Sequence, residues 1–464
     1  MENEIREKMN RAGQEHVFRF WSDLKENDRD VLLKQLEQVD GDQLAGFQNR
    51  IKTGDDAEHY TPGTLEPVEV IPLPDDERGS SDYQEASQAG EALLSEGRVG
   101  IILVAGGQGT RLGYDGPKGF FPVGPVTDRT LFEIHLEKIL ALEKRYGCTL
   151  PLYIMTSESN HRTTVEGFKR FAAKPSSITF FQQGMLPTLD RHGKLILEEK
   201  GRLSRAPDGH GGLLTAMKRN RVLENMMSRD LQVIFYFQVD NVLTKICDPI
   251  FLGLHHLRGA EMSAKTVYKR DAGEKLGSIG RIGGRVVTIE YTELSDEEKE
   301  MRRDGRLKFG QGSIAIHAFS VSFLHRLIAG NNELPFHIAF KKIAAIDELG
   351  EPVRPETPNG YKFEQFIFDA FPHARSVMVM ETRREQDFSP IKNKSGPDSP
   401  ERARQDLCNI YGLWLERCGY TVNRDEAEDV IERIEISSLY AMDDKELCDR
   451  LPQDFVLTNP TLLA

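Results

Sequence analysis

No run of about 18 apolar residues, the length a helix needs to cross a bilayer, occurs anywhere in the sequence. The opening stretch, Met1-Glu-Asn-Glu-Ile-Arg-Glu-Lys8, lacks the apolar core of a secretion signal. No membrane association is expected, and the cytosol is the expected compartment. A basic surplus is missing too: 73 Asp and Glu outnumber 60 Lys and Arg over 464 residues, for a net charge of −13. Nucleic-acid binding is not expected, because it draws its affinity from Lys and Arg displacing counterions. A small anionic substrate still fits if a few cations are gathered in one place. Cysteine is scarce: Cys148, Cys247, Cys408, Cys418 and Cys448 are odd in number and widely spaced, with no Cys-x-x-Cys and no Cys/His cluster of metal-site spacing. Five reduced thiols are expected, which excludes a disulfide framework and a structural zinc.

What is present is organised in three stretches. Residues 1–84 read as a helical segment and connector: Val17, Phe18, Trp21 and Leu24 recur at helical spacing, and Val31, Leu32, Leu36 and Val39 repeat the pattern. Tyr60 to Glu77, with Pro62, Pro67, Pro72 and Pro74, reads as an extended connector. From residue 85 to 400 short apolar runs alternate with helical segments. Val99 to Ala105 is unbroken apolar, as in a strand covered on both faces, and Leu152–Met155, Ile178–Phe181, Val233–Phe237 and Ser376–Met380 are similar. Thr130-Leu-Phe-Glu133 is a capping box opening a helix that Gly147 stops. Strand, helix, strand in this order predicts an α/β fold with a doubly wound, Rossmann-like sheet, and ligands beyond the carboxyl ends of its strands. Residues 263–325 look richer in strand, Val286 to Tyr291 most clearly, which predicts an antiparallel excursion. Residues 401–464 read as a small C-terminal domain, with helices around Ala403–Glu416 and Glu426–Ile434.

The chemistry is concentrated in Val104-Ala-Gly-Gly-Gln-Gly-Thr-Arg-Leu-Gly-Tyr-Asp-Gly-Pro-Lys-Gly119. The segment begins where a buried strand ends, is rich in glycine, and carries Arg111 and Lys118 against one acid, Asp115. Glycines let backbone N–H groups approach a phosphate chain, and the two cations can neutralise it. It is neither common phosphate loop: a dinucleotide fingerprint would need glycine at Leu112, and a P-loop needs Gly-Lys-Ser/Thr.

Ala105 to Gly113, followed by Pro117-Lys118, resembles the signature loop of the eukaryotic-type UDP-sugar pyrophosphorylases, most closely the UDP-N-acetylhexosamine pyrophosphorylase branch. The likeness runs from about residue 99 to 407 through Phe181–Pro187, Ala206–Gly212, Gln238–Asn241, Ile289–Tyr291, Phe336–Lys342 and Phe388–Asn393. It implies a nucleotidyltransferase fold and the reaction UTP + sugar 1-phosphate → UDP-sugar + pyrophosphate, with Mg²⁺. It further implies that Ala105, Gly106, Gly107 and Gln108 cradle the nucleotide, and that Arg111, Lys118 and Lys392 hold its phosphates with Lys362. Gln183 and the Gly209 backbone would read uracil, Asp240 would bind Mg²⁺, and His210, Gly277, Glu290 and Tyr291 would meet the sugar.

Two positions depart from the branch. His210 stands where the acetylhexosamine branch has Asn and is similar to the UDP-glucose and broad-specificity branches, while Ile316 replaces an Asn that contacts the sugar there. N-acetylglucosamine 1-phosphate is the expected substrate with UTP. A UDP-glucose or broad-specificity enzyme and a non-catalytic nucleotide-sugar-binding regulator are the alternatives.

Overall fold

The computed structural model describes residues 2–54, 64–72, 81–172, 175–330 and 333–464. Contacts group the chain into two compact units that cut across the three stretches read from sequence. One comprises residues 1–60, 183–213 and 333–369; the other comprises 61–182, 214–332 and 370–464. Of the proline-rich connector, 60–63 and 73–77 lie outside the described residues.

The larger unit is built on a ten-stranded sheet: β1 (Glu66–Pro67), β2 (Val99–Val104), β3 (Leu152–Thr156), β4 (Ile178–Gln182), β5 (Val233–Gln238), β6 (Met262–Tyr268), β7 (Ser278–Ile282), β8 (Arg285–Ile289), β9 (Gln311–Ser320) and β10 (Val377–Glu381). The order β1-β7-β9-β5-β2-β3-β4 holds the spine, with β8 on β7, and with β6 paired to both β9 and β10. Strands β5, β2, β3 and β4 run parallel, as their apolar runs predict. The predicted antiparallel excursion is β6 to β9, and β9 is antiparallel to β5. Between β2 and β3 the helix Leu131–Tyr146 carries the predicted capping box at Thr130 and Glu133 and ends on Gly147 in the left-handed conformation. Its buried Phe132, Leu136 and Ile139 join the same core as Ile101 and Phe235. Among the described residues no helix is long and apolar enough to cross a membrane.

In the smaller unit, helices Glu26–Gln38 and Gly41–Thr53 share a core with a three-stranded antiparallel sheet of His337–Lys341, Gly360–Glu364 and Leu189–Asp190. Phe47 stacks on Phe363 with centroids 3.7 Å apart. The N-terminal segment is therefore half of a core whose other half comes from two distant stretches.

Four local expectations are corrected. Val17–Leu24 is carried by two 3₁₀ turns, Glu15–Phe18 and Trp21–Asp23, because packing Val17, Phe18 and Phe20 into the core of the smaller unit wins over the helical spacing. Lys362 precedes Phe363, Phe366, Ile367 and Phe371, whose spacing reads as a helix, but it lies on the strand Gly360–Glu364 opposite Ala339, since pairing with 337–341 buries Phe363 and outweighs the helical spacing. Glu426–Ile434 is not a helix. The Asp425 carboxylate accepts the N–H groups of Ala427 and Asp429, and this local turn competes with helical bonding; the chain then enters the strand Ile434–Ile436. Finally, Cys418 and Cys448 form a disulfide, leaving three free thiols. Cys418 caps the helix Pro400–Arg417 and Cys448 lies on Asp444–Arg450, so folding brings together two residues 30 apart with no spacing signal in the sequence.

Candidate active site

In the larger unit the glycine-rich segment leaves β2 and folds back on itself. Gly109 N–H donates to Gly116 O (2.9 Å) and Lys118 N–H to Gly107 O (3.0 Å), so Gln108 and Pro117 face each other as a bridge. Asn160, fully buried, holds the base of this loop by donating Nδ2–H to Ala105 O at 2.9 Å, while Gln108 reaches Ser159 Oγ at 3.2 Å. Gly106 and Gln108 are half-buried and Gly107 is exposed. Arg111 projects from a short 3₁₀ turn, exposed, with no ion-pair partner among the described residues.

Lys118 connects this loop to the motifs that carry Asp240 and Lys392. Its ammonium lies 3.4 Å from Asp240 Oδ2 and donates to Ile391 O at 3.3 Å. Asp240 follows the carboxyl end of β5, and its carbonyl accepts Ile391 N–H at 2.9 Å. Lys392, next in the chain, is half-buried; its ammonium sits 5.6 Å from the Phe388 ring centre and has no carboxylate partner among the described residues. The loop, Asp240 and the Lys392 segment thus meet at the carboxyl edge of β2 and β5, where α/β sheets bind ligands.

Two further expected residues are brought together nearby in sequence. Glu290 and Tyr291 start a turn just beyond β8 rather than ending the strand, as Glu293 N–H donates back to Glu290 O at 2.9 Å. A Cβ on Gly277 would lie 3.3 Å from Glu290 Oε1. Sequence reading missed Lys269, which is buried and donates to Ser278 Oγ at 2.7 Å, with burial pushing its pKa down to about 8. It directly follows β6, and no apolar run or motif marks it in the sequence. Ile316, the departure expected to touch the sugar, is 1% exposed and packs in the main core opposite Lys265.

The smaller unit holds the remaining expected residues. Gln183 donates to Asp208 Oδ1 at 3.4 Å, and a Cβ on Gly212 would lie 2.2 Å from that carboxylate. Gly209 has φ +81° and ψ 174°, a conformation open only to glycine, and a Cβ there would lie 2.4 Å from Gln365 O. Gly209→Ala is therefore expected to cost about 1–3 kcal/mol of stability and to weaken UTP binding together with it; chemical denaturation and calorimetric titration of UTP check both. His210 Nδ1 accepts Ile367 N–H at 3.1 Å, which leaves the ring proton on Nε2 as a donor. Burial first, and nearby His337 second, push the His210 pKa down to about 4, so the ring is neutral at physiological pH. Phe366 and Phe368 flank it at 5.2 and 5.7 Å, and His337 completes the group against Phe366 at 4.4 Å. Phe366 reads from sequence as part of a helix face, and Phe368 carries no signal of its own. Lys362 is half-buried on the adjoining strand.

Among the described residues no group of three or more His, Cys, Asp and Glu is placed to hold a metal ion. Asp240 therefore offers one carboxylate, a donor set suited to Mg²⁺ only if substrate phosphates and water supply the rest, as this ion commonly requires.

The model of the family described as UTP–glucose-1-phosphate uridylyltransferase matches residues 58–403. The chain belongs to that family. It is a nucleotidyltransferase, a UTP:sugar-1-phosphate uridylyltransferase. A UDP-N-acetylglucosamine pyrophosphorylase of Saccharomyces cerevisiae is 37% identical over 435 residues, covering 89% of this chain and 90% of the yeast protein. UDP-N-acetylhexosamine pyrophosphorylase-like protein 1 of Xenopus tropicalis is also 37% identical, over 89% of this chain and 84% of its own length. Among solved structures, the uridine diphosphate N-acetylglucosamine pyrophosphorylase of Trypanosoma brucei superposes with a TM-score of 0.83 at 25% identity, covering 98% of this chain and 96% of that one.

Proposed function

We propose that this enzyme joins UTP to N-acetylglucosamine 1-phosphate, giving UDP-N-acetylglucosamine and pyrophosphate, in the cytosol. A phosphate oxygen of the sugar phosphate attacks the α-phosphorus of UTP; the bond from that phosphorus to the oxygen bridging to the β-phosphate breaks, and pyrophosphate leaves with that oxygen. Two polyanions must approach, and at an effective dielectric of 20 each pair of unit charges 4 Å apart repels by about 4 kcal/mol. Catalysis is then mainly positioning and charge stabilisation.

The observation that carries this reading is Lys118, whose ammonium lies 3.4 Å from Asp240 and 3.3 Å from the carbonyl preceding Lys392, so that three separate motifs meet at one cation. In this reading Lys118 and Lys392 neutralise the phosphates, and Arg111, with its planar fork, takes the departing pyrophosphate. Ala105, Gly106, Gly107 and Gln108 line the nucleotide. Gln183 and the Gly209 backbone pair with uracil, and Lys362 contributes a further phosphate contact. The His210 Nε2 donor, Gly277, Glu290 and Tyr291 serve the sugar. Asp240 would hold Mg²⁺ jointly with substrate phosphates, and the ion would supply charge neutralisation there.

The acetylated sugar is favoured by the relatives that match most of the chain. Purified protein with UTP and Mg²⁺ is expected to release pyrophosphate at least about tenfold faster, in kcat/KM, with N-acetylglucosamine 1-phosphate than with glucose 1-phosphate. Preference for glucose 1-phosphate would overturn the sugar assignment. Binding of UTP without turnover of any sugar phosphate would favour the regulator instead.

A further inference from the structure

Behind the Asp240 turn lies a buried ionic node that neither the sequence motifs nor the family resemblance singles out. Lys265, on β6, is 0% exposed, and its ammonium donates to Asp387 Oδ2 at 2.6 Å and to Asp248 Oδ2 at 2.8 Å. An ion pair this deep is weak evidence for stability, because apolar residues of the same volume commonly do as well. Its placement is more telling. Asp387 Oδ1 accepts Lys245 N–H at 2.9 Å and its carbonyl accepts Asn241 Nδ2–H at 2.7 Å. Asn241 Oδ1 accepts Ser389 N–H at 2.9 Å, and the Asp240 carbonyl accepts Ile391 N–H at 2.9 Å. Four hydrogen bonds therefore lace residues 240–245 to residues 387–391, with Asp240 on one strip of chain and Lys392 at the end of the other. Lys265 grips that lacing through Asp387. Its second partner, Asp248, caps the following helix at Ile250 N–H and reaches the strips only through the exposed Lys245 ammonium, 3.3 Å away, taking no part in the four bonds between them.

We infer that Lys265 is a positioning residue for the transfer reaction: through Asp387 it sets the spacing between Asp240 and Lys392 in the substrate complex. This rests on the reading that those two residues act on the phosphates. The two carboxylates on one ammonium supply their own control: Asp387→Asn weakens the grip on the strips, whereas Asp248→Asn weakens the helix cap and the pairs with Lys265 and the exposed Lys245 ammonium but leaves all four bonds between the strips in place.

The experiment compares the wild-type protein with both variants by thermal unfolding, calorimetric UTP affinity, and turnover of UTP with N-acetylglucosamine 1-phosphate. Asp387→Asn is expected to lower kcat at least about tenfold with the UTP dissociation constant within about threefold, while Asp248→Asn keeps kcat within about twofold whatever its melting temperature. If Asp387→Asn does not fold, Thr382→Val decides. It removes a hydroxyl that donates to the same Asp387 oxygen at 2.6 Å, and a fall in kcat of at least about threefold is expected. Equal kcat losses in the two Asn variants, tracking loss of stability, would reduce the node to a structural one. Unchanged kcat in Asp387→Asn, or in Thr382→Val if that variant decides, beside an active wild type would overturn this inference alone. A wild type inactive on every sugar phosphate would overturn the functional reading, and this inference with it.

Discussion

Asp240→Asn is expected to lower kcat/KM by about 10²–10³-fold, the range for losing one preorganised electrostatic group at the reacting centre. The side chain is small, lies on a turn and supports no hydrophobic packing, so the fold should survive. Its interactions in the free protein are modest: a 3.4 Å approach by Lys118 and a carbonyl bond from Ile391 that the substitution leaves intact. What the amide cannot do is present negative charge to a divalent cation. The Mg²⁺ concentration giving half-maximal rate should therefore rise along with the loss of turnover. An unaltered magnesium titration would show that the ion is held elsewhere.

Arg111→Ala is the second large effect. The guanidinium is exposed and forms no ion pair among the described residues, so its removal should change stability by no more than about 0.5 kcal/mol. Its role is proposed to begin when charge builds on the leaving pyrophosphate. Turnover should then fall by about 10²-fold while UTP affinity, measured by calorimetry, falls much less. Arg111→Lys should recover only part of the loss, because a point charge cannot grip two oxygens at once. Unchanged kinetics would remove Arg111 from the mechanism.

Much of the larger unit was legible in the sequence because its signals are local. An unbroken apolar run such as Val99–Val104 has few alternatives to a buried strand, and Thr130, Glu133 and Gly147 mark both ends of their helix. The glycine-rich loop was legible for the same reason, since backbone access and two cations sit within one short segment. What escaped depends on partners far away in the chain. Lys362 sits among apolar residues at helical spacing, and only the opposing strand 337–341 makes it part of a sheet. The union of the N-terminal helices with residues 183–213 and 333–369 is a matter of shared core, of which Phe47 on Phe363 is one contact. Cys418 and Cys448 carry no motif until two helices bring their Cα atoms to 5.2 Å.

The candidate site divides along the same line. Arg111, Lys118, Asp240 and Lys392 are candidates from the sequence because each lies in a recognisable motif. Asn160, Lys269, Phe366, Phe368 and Lys265 are not, because each matters through a neighbour: a loop carbonyl, a serine hydroxyl, the face of His210, or a carboxylate that fastens two turns. Ile316 is different: the departure from the motif is legible in the sequence, but that the replacing side chain lies in the core depends on strand register.

The most direct test is a crystal structure of the protein with UDP-N-acetylglucosamine bound. The account predicts the diphosphate within hydrogen-bonding reach of the Lys118 and Lys392 ammonium groups, with Asp240 beside the α-phosphate and the Gly106–Gln108 backbone along the nucleotide. A diphosphate bound away from Lys118, with Lys392 directed into solvent, would contradict it.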